Sequence, residues 1–354
     1  MEFASNIIRG VSVCRSLGDR LKGRAPAARR VAEGRAAFYR AVWADAAKLE
    51  GASVAVLDSR LLEIRRGGLR LRIRDNCTSL DDPLTLDVAG DKALVHRLLG
   101  AAGVPVPRHK VCRATDIASA LAFVTAACTP CVVKPARSTA GGAGVTSGVN
   151  DWSSLLMALG RAAAYCRDVV LEEQVPGSEY RLLYLDGRLL DAVRRGPPTV
   201  SGDGRSTVRR LIARENRRRL ARGIQESQAM LHLDADLRAT LAAAGCTLGS
   251  VLPAGQVLAV KTVVSENSGE DNTSALGAIC PAVVEAASRA AAAVGVRLAG
   301  VDLITADPGV SLEQSGGAVI EVNTTPSLYC HYAKRPGPTP VARLVLHELT
   351  ADER

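Results

Sequence analysis

Two apolar runs in the last fifth of the chain carry oxygen-bearing side chains that could hold a metal ion. Asp302 lies within the run at 298–304, and Glu321 and Asn323 lie at the end of another run. An uncompensated carboxylate is costly to bury on an apolar strand, so each acid needs a partner. Residues two apart share a face of a strand, so Glu321 and Asn323 form an oxygen pair that suits Mg²⁺ or Mn²⁺ bound jointly with nucleotide phosphates. The alternative is a salt bridge to one of the many arginines.

A lysine followed by a glycine-rich loop forms the second motif. Lys134 ends the apolar run at 131–134, and Gly141, Gly142 and Gly144 follow it. Backbone amides of a glycine loop approach an anion closely, and a lysine at a strand end adds a positive charge for phosphate. The chain contains no GxxxxGK[ST] sequence, so the loop is not a P-loop. A purely structural turn is the alternative interpretation.

Acidic residues surround a Pro-Gly turn after a third apolar run. Glu172 and Glu173 follow the run at 168–171, Val175 lies in the turn, and Glu179 comes after it. Backbone groups exposed after a strand can hydrogen-bond the edge of an adenine, and a carboxylate can accept both hydroxyls of a ribose. Taken alone, the segment is also an ordinary polar hairpin.

Helical and strand patterns alternate around these motifs and indicate the α/β (α+β) class. Helices are predicted at about 27–49, 91–99, 114–127, 152–165, 207–222 and 281–294. Strands are predicted at 53–57, 69–73, 131–134, 168–171, 180–184, 189–193, 257–264, 298–304 and 318–322. The stretch that ends at Gly255 has a looser pattern. We expect three parts: an N-terminal α/β domain at 1–90, a subdomain at 91–172 and a larger part at 173–354.

Composition excludes several classes of protein. The 354 residues are 47% hydrophobic and 23% charged, which is typical of a packed globular chain. The net charge of +9 comes with only 3% aromatic residues, so a surface that stacks nucleic-acid bases is not expected. Nine irregularly spaced cysteines fit a reducing compartment, and no apolar run is continuous enough for a signal peptide or membrane span. We expect a cytoplasmic protein without nucleic-acid or membrane partners, compatible with a homodimer.

In this order, the motifs resemble those of the ATP-grasp superfamily over about 91–331. The resemblance is closest to the amide-forming ligases related to cyanophycin synthetase, glutathione synthetase and D-alanine:D-alanine ligase. The tract at 194–212, followed by Asn216, is similar to the cyanophycin synthetase subgroup in particular. The resemblance implies an ATP-grasp fold, in which 91–172 forms the nucleotide lid and 173–354 carries the metal and substrate site.

The resemblance also implies a role for each candidate residue. ATP would be bound by Lys92, Lys134, Gly141, Gly142, Gly144, Glu172, Glu173, Val175 and Glu179. Magnesium would be bound by Asp302, Glu321 and Asn323, and Lys261 would lie near the transferred phosphate. Arg181 and Arg195 are our candidates for the substrate carboxylate or the tetrahedral intermediate, because a guanidinium fork fits both.

The activity that the resemblance implies is ATP-dependent ligation of a carboxylate to an amine through an acyl phosphate, with amino acids or a short peptide as substrates. Two alternatives stay open. A small-molecule kinase of the same fold would keep the nucleotide site and phosphorylate a hydroxyl group. A non-catalytic basic scaffold would use none of these residues for chemistry. No motif in the N-terminal domain names the carboxylate or the amine.

Overall fold

The computed structural model describes residues 25–137, 139, 142–221 and 230–351. Its helices are α1 (Ala25–Leu49), α2 (Pro83–Gly90), α3 (Lys92–Ala101), α4 (Ile117–Thr125), α5 (Trp152–Ala163), α6 (Val208–Ala221), α7 (Ala235–Ala243), α8 (Pro281–Val294), α9 (Leu312–Ser315), α10 (Tyr329–Tyr332) and α11 (Val341–Ala351). None of the described helices is long and apolar enough to span a lipid bilayer.

The strands run antiparallel to their neighbours in four sheets. In chain order they are β1 (Ser53–Val56), β2 (Leu61–Arg66), β3 (Leu69–Arg74), β4 (Cys77–Thr78), β5 (His109–Arg113), β6 (Cys131–Pro135), β7 (Thr146–Val149), β8 (Asp168–Glu173), β9 (Ser178–Leu185), β10 (Arg188–Arg195), β11 (Thr199–Ser201), β12 (Val257–Ala259), β13 (Asn272–Ser274), β14 (Leu298–Thr305) and β15 (Ala318–Asn323). The mixture of helices and sheets confirms the predicted α/β (α+β) class.

Some elements differ from the sequence predictions. Strand β12 ends at Ala259 rather than at 264, and Lys261 beyond it is drawn into ion pairs with two carboxylates. The segment with the looser pattern contains helix α7, whose N-cap Asp234 accepts a hydrogen bond from the backbone N–H of Leu237. No strand is predicted at the positions of β2, β4, β5, β7, β11 and β13.

The five-stranded central sheet, in the order β13-β10-β9-β14-β15, has one apolar face and one mixed face. Alternation along β9 sends Tyr180, Leu182 and Tyr184 to the apolar face, where helices α3 and α8 pack on them. Glu179 and Arg181 alternate with these residues and therefore point to the mixed face. The polar residues of β9 thus lie opposite the main helical layer.

The N-terminal strands β1 to β4 form a sheet whose core is shared with the mixed face of the central sheet. Phe38 and Trp43 of α1 are buried in this core together with residues of α11. Leu183 and Leu185 of β9 belong to the same core. The N-terminal elements therefore cover the apolar end of the mixed face and leave Glu179 and Arg181 at its other end.

A lid sheet, in the order β5-β8-β6-β7, packs with helices α4 and α5 around a core of its own. Val133 of β6 and Leu171 of β8 are fully buried in that core. Strand β8 leads into β9 of the central sheet through the short connection 174–177. The domain boundaries predicted at residues 90 and 172 stay predictions.

Gly177 sets how closely this connection approaches the central sheet. Its φ is +127°, a backbone conformation that favours glycine. A Cβ atom at this position would lie 2.2 Å from the carbonyl carbon of Thr305, at the end of β14. The chain therefore needs glycine at the point where the lid sheet joins the central sheet.

Substitution of Gly177 by alanine is expected to lower the free energy of unfolding by about 1–3 kcal/mol, because the methyl group overlaps the backbone of β14. Chemical denaturation measures this loss. Gly103→Ala is the matched control, since Gly103 has a φ of +65° but no atom within 4 Å of the added methyl group. Equal losses in the two variants would contradict the close approach at Gly177.

Candidate active site

Three charged residues lie side by side across the central sheet. In the register of the strands, Arg181 of β9 faces Asp302 of β14, and Asp302 faces Glu321 of β15. Residues that face each other in register point to the same side of a sheet. Asn323 lies two residues along β15 from Glu321 and adds an amide to that side. The strand register thus brings together side chains that separate motifs predicted.

Asp302 is neutralised by Arg181. Both residues are buried, and Arg181 donates from Nη2 to Asp302 Oδ2 at 2.6 Å and from Nε to Oδ1. Arg195 Nη1 lies 3.9 Å from the same Oδ1. Burial opposes the charged guanidinium, but the carboxylate outweighs it and raises the pKa of Arg181. The salt bridge that the sequence left as an alternative is therefore present at Asp302, and a metal role for Asp302 stays a prediction.

Glu179 is a carboxyl group whose charged form is disfavoured. It faces Arg195 in the register and accepts a hydrogen bond from Arg195 Nη1 at 2.9 Å. Burial raises the pKa of Glu179 to about 7, and the carboxylates of Asp302 and Glu321 add to the rise, although Arg195 and Arg181 oppose it. Three carboxyl groups therefore crowd one side of the sheet, and an added cation would relieve their repulsion.

The residues predicted to bind Mg²⁺ fit a site that protein and phosphate share. Asn323 Nδ2 donates to Asp302 Oδ2 at 3.2 Å, and its Oδ1 accepts from no donor among the described residues. The Glu321 side chain is 37% exposed and lies 3.4 Å from Lys92 Nζ. In the described part of the chain, no three His, Cys, Asp or Glu side chains are grouped to enclose a metal ion. A small number of protein ligands is typical of Mg²⁺, because phosphate oxygens and water molecules complete its coordination shell.

Lys134 and Glu172 form a buried ion pair at the junction of the two sheets. Lys134 Nζ lies 2.5 Å from Glu172 Oε1 and donates to the backbone oxygen of Ile320 on β15 at 3.4 Å. His96 Nε2 lies 3.0 Å from the same Glu172 oxygen. Burial alone would raise the pKa of Glu172, but Lys134 and His96 lower it to about 2. Lys134 thus reaches from the lid sheet to the strand that carries Glu321.

Helix α3 presents Lys92 and His96 to this junction from positions one turn apart. Asp91 caps the helix by accepting hydrogen bonds from two backbone N–H groups of its first turn. The backbone N–H of Lys92 donates to the carbonyl oxygen of Ala136 at 3.0 Å, which ties the helix to the end of β6. Lys92 was predicted from the sequence to bind ATP, whereas His96 was not identified as a site residue.

The glycine loop lies partly outside the described residues, and Gly141 is among the residues left out. Gly142 and Gly144 have positive φ values of 77° and 78°. Gly144 is also packed tightly, since a Cβ atom there would lie 2.8 Å from both Pro135 and Tyr165. The C-terminal end of the loop is therefore a close-packed turn, and contact of the loop with phosphates stays a prediction.

Glu173 and Val175 lie where the lid sheet connects to the central sheet. The Glu173 carboxylate lies 2.5 Å from Arg108 Nη1, and its backbone N–H donates to the Arg108 carbonyl at 2.9 Å. Among the described residues, no hydrogen bond involves the backbone of Val175. Val175 can therefore offer an N–H and a carbonyl to the edge of a ring such as adenine.

Lys261 lies in a different cluster, formed by β11, β12, α6 and α7. Its Nζ pairs with Asp234 Oδ2 and Glu266 Oε2, each at 2.7 Å. Burial lowers the pKa of Lys261, but the two carboxylates outweigh burial and raise it. Thr262 contacts Ser147 of β7 at 2.8 Å between hydroxyl oxygens, so this segment touches the lid sheet. A place for Lys261 near the transferred phosphate stays a prediction.

A buried charge network holds the segment after β15 against the sheet. Asp191 of β10 accepts a hydrogen bond from Lys334 Nζ at 2.6 Å and lies 2.7 Å from His331 Nδ1, and all three residues are buried. At the start of the segment, Pro326 packs on Gly300, where a Cβ atom would lie 2.7 Å from Pro326 and 3.2 Å from Arg181. The network therefore fixes this segment beside the charged row.

Curated proteins that are similar to this chain in sequence include a cyanophycin synthetase and a glutathione biosynthesis protein. Cyanophycin synthetase from Nostoc sp. is 30% identical over 297 residues, which cover 83% of this chain and 33% of that protein. The glutathione biosynthesis bifunctional protein GshAB from Streptococcus mutans is 32% identical over 277 residues, which cover 74% and 35%. The chain therefore spans about a third of the length of the curated relatives it matches. No protein-family model matches the chain.

The fold matches the solved structure of another protein of glutathione synthesis. The crystal structure of a bifunctional glutathione synthetase from Pasteurella multocida covers 86% of this chain and 43% of its own, with a TM-score of 0.55 and 22% identity. The chain has the ATP-grasp fold. The resemblance inferred from the motifs is thus confirmed.

Substitution of the two carboxylates of the charged row should have different effects on stability. Asp302→Asn removes the charge that neutralises buried Arg181, and breaking a buried pair costs about 3–5 kcal/mol. Glu321→Gln changes a partly exposed residue and should alter the free energy of unfolding by less than about 1 kcal/mol. Urea denaturation of both variants checks the difference, and equal destabilisation would contradict the geometry.

The raised pKa of Glu179 predicts a pH dependence of stability. The folded chain holds this proton up to a pH of about 7, whereas the unfolded chain releases it near the ordinary pKa of 4.5. The folded state therefore binds more protons between these values, so wild-type stability should fall relative to Glu179→Gln as the pH rises through this window. Denaturation curves of both proteins across the window measure the effect, and parallel pH profiles would rule it out.

Proposed function

We propose that this chain is an ATP-dependent carboxylate–amine ligase that joins amino acids or short peptides through an amide bond. One observation carries the proposal. Lys134 of the lid sheet reaches the backbone of β15 next to Glu321, so cations suited to phosphate and oxygen ligands suited to a metal meet between the two sheets. The names of the two sequence relatives, cyanophycin synthetase and glutathione biosynthesis protein, agree with a ligase.

In this proposal ATP lies between the lid sheet and the central sheet. Lys92 pairs with Glu321 and Lys134 pairs with Glu172 in this structure. In the complex, phosphate oxygens would be additional partners of both lysines. The Val175 backbone binds the adenine edge in the connection between the sheets. In the same proposal, Glu173 would lie near the adenine, Glu179 would bind the ribose, and the loop with Gly141, Gly142 and Gly144 would bind the phosphates.

Glu321, Asn323 and Asp302 would hold Mg²⁺, which neutralises phosphate charge when bound. Glu321 and Asn323 lie on one side of the sheet, and Lys92, at the start of α3, lies 3.4 Å from Glu321. Asp302 keeps its ion pair with Arg181 and orients the Asn323 amide through the hydrogen bond from Nδ2. Of the two carboxylates, Asp302 is paired with a buried arginine, whereas Glu321 is not.

The reaction would run in two steps. An oxygen of the substrate carboxylate attacks the γ-phosphorus of ATP, which breaks the bond to ADP and leaves an acyl phosphate. The amine then attacks the acyl carbon, phosphate departs, and the amine nitrogen loses a proton. Arg195 is best placed to stabilise the acyl oxygen, because its Nε is buried and has no hydrogen-bond partner among the described residues. Arg181 holds Asp302, whose Oδ1 lies 3.9 Å from Arg195 Nη1, and Lys261 would approach the transferred phosphate.

A kinase of the same fold would use the same nucleotide site and transfer phosphate to a hydroxyl group. The names of the two relatives do not favour it. The two activities differ in their product, because an acyl phosphate is an activated carbonyl whereas a phosphate ester is not. Hydroxylamine converts only the acyl phosphate to a hydroxamate.

We expect hydroxamate to form when the chain is incubated with ATP, Mg²⁺, hydroxylamine and a panel of L-amino acids and dipeptides. Glu321→Gln should abolish the product without unfolding the chain, because the amide no longer supplies the charge for Mg²⁺. The matched control is Glu285→Gln, which changes an exposed acid on α8 and should keep full activity. A stable phosphorylated product with stoichiometric ADP and no hydroxamate would replace the ligase with the kinase.

A further inference from the structure

Arg35 of α1 is a half-buried cation that pairs with no carboxylate among the residues that the structure describes. Its Nη2 donates to Asn76 Oδ1, and its guanidinium carbon lies 5.8 Å from the centre of the Tyr39 ring. Its Nε is buried without a hydrogen-bond partner in the same described set. The guanidinium is held by neutral groups and has N–H donors that make no hydrogen bond within the described part of the chain. Such a group is suited to bind an anion.

Several arginines of similar or greater burial have acidic partners in this fold. They include Arg66 with Glu50, Arg181 with Asp302, Arg195 with Glu179 and Arg219 with Glu215. Asp75 precedes Asn76 in the sequence, but its carboxylate accepts a hydrogen bond from Arg60 Nε at 2.9 Å. Arg35 therefore differs from these four arginines, each of which is neutralised by a carboxylate.

The neighbours of Arg35 bind the segment that follows β15. Asn76 donates from Nδ2 to the carbonyl oxygen of Thr325. Tyr39 contacts Ser327 Oγ at 3.3 Å through its hydroxyl group, which also accepts the backbone N–H of Leu328 at 3.1 Å. Both residues that hold the guanidinium of Arg35 are thus anchored to this segment.

The same segment touches the candidate active site from its other end. Thr325 is two residues beyond Asn323, and Pro326 packs on Gly300 beside the Arg181 side chain. A ligand that lies against this segment can therefore contact Arg35 at one end and approach the charged row at the other. The N-terminal elements supply one side of such a ligand site.

We propose that Arg35, positioned by Asn76 and Tyr39, binds a carboxylate of the substrate that does not react. The substrate class is then amino acids and peptides that carry a second acidic group or a free C-terminal carboxylate, rather than simple acids and simple amines. The inference rests on the proposed ligase function for its substrate. It assigns to the N-terminal residues a specificity role that no sequence motif indicated.

The test compares binding and turnover of L-amino acids and dipeptides with those of their C-terminal amides. Saturation-transfer NMR measures binding, and ADP release measures turnover. In the wild type, the acids should bind at least about tenfold more tightly than the amides, since a charge-assisted hydrogen bond is lost with the carboxylate. Arg35→Gln should raise KM for the acid by about tenfold or more while kcat and KM for ATP stay nearly unchanged, and it should remove the preference over the amide.

Two further variants separate binding from a structural role of Arg35. Arg35→Lys keeps the charge without the fork and should recover part of the preference for acids. Arg40→Gln makes the same charge change on the same helix, where Arg40 Nη2 donates to the backbone oxygen of Ser59 at 2.7 Å, and should leave the preference intact. Thermal unfolding of each variant verifies the fold.

The outcomes distinguish this inference from the proposed function. Acid-selective binding that Arg35→Gln abolishes supports the subsite even when no ADP is released, and that result would overturn the ligase function alone. Wild-type protein that binds no member of the panel, or binds acids and amides equally, overturns the subsite. An unchanged preference for acids over amides in Arg35→Gln also overturns the subsite. If Arg35→Gln does not fold, the preference measured in Arg35→Lys tests the subsite instead.

Discussion

The buried ion pair of Arg181 and Asp302 organises the polar side of the central sheet. A charged side chain on an inner strand is tolerated only where an opposite charge and hydrogen bonds satisfy it. The antiparallel register of β9 and β14 sets the two residues directly opposite each other. Asp302 also accepts from Asn323 and lies near Arg195, so one carboxylate orients three neighbouring groups. The geometry offered to a metal and to a substrate oxygen depends on this pair.

Polar contacts, rather than a shared apolar core, join the lid sheet to the central sheet. Lys134 of the lid sheet reaches the backbone of Ile320 beside the ion pair of Glu321 with Lys92 of α3, while the lid keeps a core of its own. Ion pairs of this kind can exchange one oxygen partner for another, whereas an apolar interface would exclude charged ligands. The junction is thus suited to phosphates, and Gly177 keeps it short by letting the connection touch β14.

The sequence was most informative where the chemistry is local. Lys134, Glu321 and Asn323 stand at strand ends, so periodicity alone predicts where they lie and which way two of them point. The partner of Asp302 could not be found in this way, because Arg181 is 121 residues away and only the strand register brings them together. The same holds for Asp234, which pairs with Lys261 although the two are 27 residues apart in the sequence.

The other differences between prediction and structure arise where the local sequence pattern is weak or where tertiary packing decides the contact. Helix α7 has nearly the same hydrophobicity on all its faces, so its N-cap Asp234 was the clearest signal for a helix in the sequence. His96 has the periodicity of a core residue, and its contact with Glu172 follows from tertiary packing of α3 against the lid. Arg35 and Asn76 lie far from every motif in the sequence, and their link to Thr325 is visible only in the fold.

The central claim is that Lys134 of the lid sheet, Lys92 of α3 and the oxygen ligands of the central sheet enclose one nucleotide with its metal. A crystal structure with a non-hydrolysable ATP analogue and Mg²⁺ tests this claim most directly. We predict a triphosphate between β6 and β15, with Lys92 and Lys134 at its oxygens and Mg²⁺ bound to Glu321 and Asn323. A nucleotide bound away from this junction, or a metal held without Glu321 and Asn323, would contradict the claim.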